Sequence, residues 1–210
     1  MPEMIEKERL QFDHDELRKM MADRANGYED YAEQFMLRRD KFIGPDAVRE
    51  WARRLPPGAD VLELGCGHGV ISVVLVEAGL KLFAVEPSPT LLRAFQERFP
   101  GVETDCSPAE ESAFFGRAFD AIVAWGVLFL MEEVAQRQVL SKAAAALRPG
   151  GRFLFTAPRE NGEWIDILTQ RPSRSLGAEA YETLLREAGC EVSSGGKDLG
   201  GNEYYEAVKL

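Results

Sequence analysis

Three glycines stand at alternate positions directly after a short apolar run in the segment VLELGCGHGV, residues 61–70. The run VLEL is typical of a buried strand. Gly65, Gly67 and Gly69 allow positive φ values and let a ligand lie against the main chain. A helix that begins near Gly69 directs its free N–H groups to the same place. The segment therefore predicts a strand, a ligand-binding loop and a helix in succession.

Strand-like and helix-like segments alternate along the chain from Ala59 onward. The strands are expected at 59–64, 81–86, 102–106, 119–125 and 151–158, and the helices at 70–79, 89–99, 108–115, 132–148 and 177–189. Continuous apolar strands with helical connections indicate a parallel sheet that is covered on both faces. The chain is therefore predicted to be an α/β protein with a doubly wound, Rossmann-like fold.

The last two predicted strands break this alternation. CEVSSGGKD (190–198) and NEYYEAVKL (202–210) are separated only by LGG, which is too short for a crossover helix. They are therefore expected to form an antiparallel hairpin. The complete expectation is a mostly parallel sheet of seven strands with an antiparallel last strand.

The chain is expected to consist of an N-terminal helical extension or lid, residues 1–55, and one domain, residues 56–210. Apolar residues recur at helical spacing in 28–44 and in 47–55, and PPG then precedes the first strand. The connection 159–176 exceeds the usual loop length, which indicates a functional lid or a surface excursion.

The composition excludes several classes of function. The formal net charge is -10 and the 25 basic residues are scattered, so nucleic acid is not an expected partner. Cys66, Cys106 and Cys190 are far apart, and His14 and His68 are the only imidazoles, which argues against a metal site and fits a reducing compartment. Because no run of about 18 apolar residues exists, no membrane span is expected. A cytoplasmic protein, monomeric or homodimeric, is predicted.

The glycine spacing separates two classes of cofactor. A dinucleotide loop requires G-x-G-x-x-G, but here the third glycine arrives one position early. The pattern E-x-G-x-G-x-G, from Glu63 to Gly69, instead resembles the cofactor loop of class I S-adenosylmethionine-dependent methyltransferases. A nicotinamide-dependent oxidoreductase and a glycine-rich turn that binds nothing are the alternatives.

The resemblance covers about residues 59–209, in which FAVEPS, ETDCSPAE, FDAIVAWGVLFLM and LRPGGRFLF follow in the family's order. It implies that Glu86 holds both ribose hydroxyls and that Asp105 and Cys106 meet the adenine. Asp105 as the cap of a helix beginning near Pro108 is the alternative. The implied cofactor contacts are Tyr31, Glu63, Gly65, Cys66, Gly67, Gly69, Glu86, Pro87, Asp105, Cys106 and Trp125.

Two of these contacts are aromatic side chains expected near the sulfonium, Tyr31 in the N-terminal extension and Trp125 after the fourth strand. Tyr28 and Phe129 are further candidates, with ordinary packing as the alternative for both. Glu63 is expected near the aminoacyl end of the cofactor, because an acid inside a buried strand is costly unless paired.

The acceptor is expected beside the loops after the fourth and fifth strands and under the N-terminal helices. Its predicted contacts are Phe129, Arg159, Trp164 and Asn202.

The function predicted from these features is methyl transfer from S-adenosylmethionine to a small molecule by in-line displacement, without a metal ion. His14, Glu160 and Asp166 are possible general bases, and none stands out. A non-catalytic cofactor-binding protein with the same fold and a protein methyltransferase are the alternatives.

Overall fold

The N-terminal part of the chain packs against the main domain through two short helices. The computed structural model describes residues 24–39 and 43–210. Helix α1 spans Ala32–Arg38 and helix α2 spans Pro45–Ala52. Gly44 (φ 98°) and the proline at the first helical position define the start of α2. The prediction of a helical extension over residues 1–55, and with it His14, lies partly outside the described residues.

A seven-stranded sheet forms the centre of the domain. Its strands are β1 Asp60–Leu64, β2 Lys81–Val85, β3 Glu103–Asp105, β4 Phe119–Ala124, β5 Leu147–Thr156, β8 Cys190–Lys197 and β9 Glu203–Lys209. They lie in the order β3-β2-β1-β4-β5-β9-β8. Strands β1 to β5 are parallel, and β9 pairs antiparallel with both β5 and β8. This confirms the predicted Rossmann-like fold.

Both faces of the sheet are covered by helices, as the continuous apolar strands predicted. The helices are α3 Ser72–Glu77, α4 Pro89–Arg98, α5 Glu133–Ala146 and α6 Ala178–Glu187. One buried cluster joins the sheet to α5 and α6, where Leu140 and Tyr181 pack against Phe155 and its neighbours. The other joins the sheet to α2, α3 and α4, with the fully buried Trp51 at its centre.

The outer strands of the sheet are irregular. Strand β3 has three residues. Strand β8 contains the sequence SSGG, and its register against β9 shifts between Val192 and Ser194.

The predicted helix at 108–115 is wrong. Turns and a short 3-10 helix, Phe114–Gly116, occupy this segment, and Phe114 and Phe115 have positive φ values of 48° and 57°. The Ser112 hydroxyl donates to Asp105 and accepts the Phe114 N–H. This local network holds the chain in a turn while Phe114 is buried in the core. The alternative reading of Asp105 as a helix cap is therefore also wrong.

The long connection after β5 contains a small hairpin. Strand β6, Gly162–Ile165, pairs antiparallel with β7, Pro172–Ser175. Strand β5 itself begins at Leu147, earlier than the predicted start at 151.

Candidate functional site

The three glycines after β1 have positive φ values, but their surroundings differ. A Cβ atom at Gly65 would lie 2.6 Å from Cγ2 of Val127, and one at Gly69 would lie 2.4 Å from Cε2 of Phe99. At Gly67 the nearest atom would be Cε1 of Phe35, at 3.4 Å. Protein neighbours therefore exclude a side chain at Gly65 and Gly69, whereas a Cβ atom at Gly67 would make only an ordinary van der Waals contact.

Glu86 directly follows β2 and is held by two backbone donors. Its Oε2 accepts the Gly67 N–H at 2.8 Å, and its Oε1 accepts the Ser88 N–H at 2.9 Å. Burial raises the pKa of Glu86 to about 7, and the charge of Glu29 also raises it, against the effect of the two donors. The carboxylate is thus fixed in direction and keeps lone pairs for a further donor.

Glu63 lies within β1, behind the glycine loop. It accepts the hydroxyl of Ser72, at the start of α3, at 2.6 Å and is 2% exposed. Burial raises the pKa of Glu63 to about 8, and the charge of Glu86 contributes. The carboxyl therefore connects β1 to the first turn of α3.

A cavity of about 550 Å³ lies over the carboxyl ends of β1, β2 and β4. Its floor contains Gly65, Gly67, Glu86, Pro87 and Trp125. One side is formed by the turn at 108–111. A parallel sheet of this type binds ligands where the strand order reverses, and here that point lies between β1 and β4.

Residues 24–39 cover this cavity, and we refer to them as the roof segment. Tyr28 and Phe35 line the cavity from this side. Their rings meet edge to face, with the ring centres 5.2 Å apart. Glu29 accepts hydrogen bonds from Ser88 and Thr90, at the start of α4. Burial alone would raise the pKa of Glu29, but these hydrogen bonds outweigh it and lower the pKa.

Two more contacts attach the roof segment. Arg24 pairs with Glu111, and the Tyr28 hydroxyl donates to Oδ2 of Asp166 at 3.3 Å. Asp166 belongs to the turn between β6 and β7. Burial, followed by the charge of Asp166, raises the pKa of Tyr28 far above its usual value, so its phenol stays protonated.

A second cavity, of about 570 Å³, adjoins the first and shares Phe129, Thr156 and Asn202 with it. Its other walls include Arg159 and Trp164. The ring centres of Phe129 and Trp164 are 5.7 Å apart. The structure thus brings together Phe129, Arg159, Trp164 and Asn202 around one space.

Several residues predicted to contact the cofactor do not line the first cavity. These are Tyr31, Glu63, Cys66, Gly69, Asp105 and Cys106. Tyr31 immediately precedes α1, one turn after the cavity residue Tyr28. Cys66 is buried with its thiol directed at the Gly67 carbonyl, and Cys106 is exposed. Asp105 is bonded to Ser112.

Sequence reasoning missed Asn26, Val127 and Thr156 in the first cavity. Thr156 accepts the Gly126 N–H at 2.6 Å and so fixes the loop after β4 beside both cavities. Val127 and Thr156 lie at the carboxyl ends of β4 and β5, where the predicted strand positions could have indicated them. Asn26 reaches the site only through tertiary packing of the roof segment.

A family model described as a methyltransferase domain matches residues 61–151. A ubiquinone biosynthesis O-methyltransferase of Methylobacterium sp. is 33% identical over 100 residues, which cover 46% of this chain and 39% of that relative. The chain belongs to the class I S-adenosylmethionine-dependent methyltransferases.

Two further methyltransferases show how far the similarity extends. A protein-L-isoaspartate O-methyltransferase of Methylorubrum populi is 30% identical over 147 residues, which cover 66% of each chain. The crystal structure of a Burkholderia thailandensis 1,6-didemethyltoxoflavin-N1-methyltransferase, with bound 1,6-didemethyltoxoflavin and S-adenosylhomocysteine, superposes with a TM-score of 0.67 at 22% identity. It covers 100% of this chain and 99% of that one.

The residues of the first cavity fit S-adenosylmethionine, the cofactor of this methyltransferase family. Glu86 presents oriented acceptor oxygens at the cavity wall, as a vicinal diol requires. Gly67 lines the cavity, so a ligand there can lie against its backbone. Trp125 supplies an aromatic surface beside both.

Two further observations concern metal ions and membrane-spanning helices. Within residues 24–39 and 43–210, no three His, Cys, Asp or Glu side chains are grouped so that they could hold a metal ion. No helix in the described part of the chain is long and apolar enough to cross a membrane.

Proposed function

We propose that this chain transfers a methyl group from S-adenosylmethionine to a small-molecule acceptor. The observation that carries the proposal is the junction of the two cavities at Phe129, Thr156 and Asn202. One cavity contains the glycine loop and Glu86, and the other opens beside it under the β6–β7 hairpin. Donor and acceptor would meet at this junction. A cytoplasmic location and a monomeric or homodimeric state belong to the same proposal.

Glu86 is the proposed ribose contact, and the backbone from Gly65 to Gly67 lies beneath the cofactor. The turn at 108–111, together with Pro87, forms the proposed adenine side. Asp105 and Cys106 act there indirectly in this proposal, because Asp105 holds Ser112 and thereby shapes the turn. Glu63 supports the loop from behind through Ser72.

When bound, the cofactor supplies a methyl group on a sulfonium, which is already activated for displacement. The chain's own residues then have to orient the two reactants and exclude water, and orientation can lower a barrier by about 7–11 kcal/mol. The roof segment excludes water from above, and Trp125 can add about 0.5–2 kcal/mol by attraction of a cation to its ring.

Glu160 and Asp166, two of the predicted candidates for a general base, have different surroundings. Glu160 lines the second cavity, whereas both oxygens of Asp166 already accept hydrogen bonds from Tyr28, Leu168 and Thr169. Glu160 is therefore the carboxylate that can receive an acceptor proton. An acceptor that needs no base is equally compatible with this arrangement.

Calorimetric titration with S-adenosylmethionine, S-adenosylhomocysteine and NAD in parallel tests the cofactor. We expect the two sulfur ligands to bind and NAD not to bind. Absence of binding by both sulfur ligands to the folded protein would overturn the proposal, and binding of NAD alone would establish the oxidoreductase alternative.

Release of S-adenosylhomocysteine in the presence of acceptor pools tests the transfer itself. The similarity to a protein-L-isoaspartate O-methyltransferase makes an isoaspartyl peptide the necessary second arm. Turnover with small molecules and not with the peptide is the expected result. Turnover with the peptide alone would identify a protein methyltransferase, and cofactor binding without any turnover would support a binding protein.

A further inference from the structure

Arg159 follows β5 and stands in the wall of the second cavity. Its guanidinium carbon lies 4.9 Å from the centre of the Tyr205 ring. A Cβ atom at Gly195 would lie 2.8 Å from Nη2 of Arg159. The guanidinium therefore rests between an aromatic ring on β9 and bare backbone on β8. Arg159 is an exposed residue, so these two contacts position its guanidinium at the protein surface, and a side chain at position 195 would disturb it.

No hydrogen bond or ion pair uses the guanidinium nitrogens of Arg159 within the described residues. The nearby carboxylate of Glu203 accepts the backbone N–H of Arg159 at 2.6 Å and pairs with Lys197 at 3.3 Å. The charge of Arg159 contributes to lowering the pKa of Glu203 without an ion pair between the two side chains. Glu160, the other acid in this wall, is exposed. Arg159 thus keeps a planar set of N–H donors that matches a carboxylate in shape and charge.

The same cavity presents flat apolar surfaces. Phe129 and Trp164 lie on one side with their planes tilted by 45°. Pro158 adds a further apolar surface in the wall. Trp164 is 37% exposed although it is a large apolar residue, so part of its surface is available to a ligand. A flat ring gains more contact with such surfaces than a puckered one.

We propose that the methyl acceptor is a flat aromatic compound with a carboxylate, and that Arg159 is the residue that binds this carboxylate. The ring of the acceptor lies against Phe129 and Trp164. Its reacting atom is at the opposite end, toward Thr156, where the two cavities meet. This inference rests on the proposed function and specifies the substrate class of the same site.

Three probes of similar size test the inference on protein saturated with S-adenosylhomocysteine. These are naphthoate, naphthamide and decalin carboxylate, titrated by calorimetry or ligand-observed NMR. We expect naphthoate to bind about tenfold or more tightly than the neutral amide, as a charge-assisted hydrogen bond provides. The saturated carboxylate should bind more weakly than naphthoate.

Two variants test whether Arg159 is responsible for the preference for naphthoate over naphthamide. Arg159→Gln should reduce the affinity for naphthoate to that for naphthamide. Lys197→Gln, which removes a cation from the same wall, should leave most of the preference for the carboxylate intact. Equal affinity for acid and amide, or an equal loss in both variants, would overturn the assignment to Arg159.

The design separates this inference from the proposed function. If S-adenosylhomocysteine binds and naphthoate shows no preference over naphthamide, the inference fails and methyl transfer stands. If S-adenosylhomocysteine does not bind, the proposed function fails, and titration of the unliganded protein with the same probes still tests whether Arg159 binds a carboxylate.

Discussion

The floor and the roof of the first cavity are held in place by different kinds of contact. The floor is made of backbone at the ends of buried strands, where the Gly65 N–H bonds to Val85 O at 2.8 Å. The roof segment is attached by side chains that bridge long stretches of sequence, such as Glu29 to Thr90 and Tyr28 to Asp166. The floor is part of the sheet, and the roof is attached to it by these polar contacts and by packing such as that of Phe35 against His68.

This difference indicates which part determines cofactor binding and which part controls access. The strands that carry the floor have 0% exposure at Val61, Leu62 and Leu64, so its geometry is as rigid as the core. The polar contacts of the roof can exchange with water and are individually worth about 0.5–1.5 kcal/mol. Changes in the floor should therefore alter affinity strongly, whereas changes in the roof should alter rates.

The largest effect is expected from adding a side chain at Gly67 in the floor of the cavity. Gly67→Val should weaken binding of S-adenosylhomocysteine by about 100-fold or more, because the side chain occupies the space above the backbone. Calorimetry measures this, with circular dichroism as the check on folding. Gly58→Val is a matched control, since Gly58 also has positive φ and no atom lies within 4 Å of its Cβ position. An equal loss in both variants would attribute the effect to backbone strain.

The next effect concerns the carboxylate of the floor. Glu86→Gln should reduce the affinity for S-adenosylhomocysteine by about 10- to 100-fold, because a charged hydrogen-bond acceptor is lost. Glu103→Gln, a change of the same type at an exposed position in β3, should leave the affinity unchanged. If Glu86→Gln retained its affinity for S-adenosylhomocysteine, the ribose would have to bind to another part of the cavity.

The pH dependence of S-adenosylhomocysteine binding tests the role of Glu86 a second time. With a pKa of about 7 in the unliganded protein, Glu86 is mostly protonated at pH 6 and mostly ionised at pH 8. Because the ribose hydroxyls are expected to bind the ionised form, affinity should rise by about tenfold over this range. Glu86→Gln should flatten the profile. A flat profile in the unmodified protein would contradict the role of Glu86.

The smallest effect is expected in the roof. Glu29→Ala removes the hydrogen bonds to Ser88 and Thr90 and should speed dissociation of S-adenosylhomocysteine by about two- to tenfold. Stopped-flow measurement gives this rate. Glu33→Ala, an exposed change in α1, provides the control within the roof segment. An effect on affinity as large as that of Gly67→Val would show that the roof is part of the binding surface.

The predictability of the molecule from its sequence follows the same division. The strands and the glycine loop could be predicted because apolar runs and alternate glycines are local patterns. Burial of Trp125 beside the loop also follows from its place after β4. The sequence further indicated the antiparallel β8–β9 pair, because LGG leaves no space for a helix.

The errors occur where side chains override local preference. The segment 108–115 has a helical composition, yet the bonds of Ser112 and the burial of Phe114 hold it in turns. The β6–β7 hairpin escaped prediction because its strands have four residues each, carry no alternating apolar pattern and include Pro172. The attachment of the roof through Glu29 could not be predicted, since nothing near Glu29 in the sequence identifies Thr90 as its partner.

The outer strands of the sheet have a consequence for encounters between copies of this chain. Edge-to-edge association requires a long, flat row of unpaired backbone N–H and C=O groups. At one edge β3 has three residues, and at the other β8 combines two glycines with a shift of register at Val192 and Ser194. Both edges therefore depart from the long, regular strand that edge-to-edge association requires.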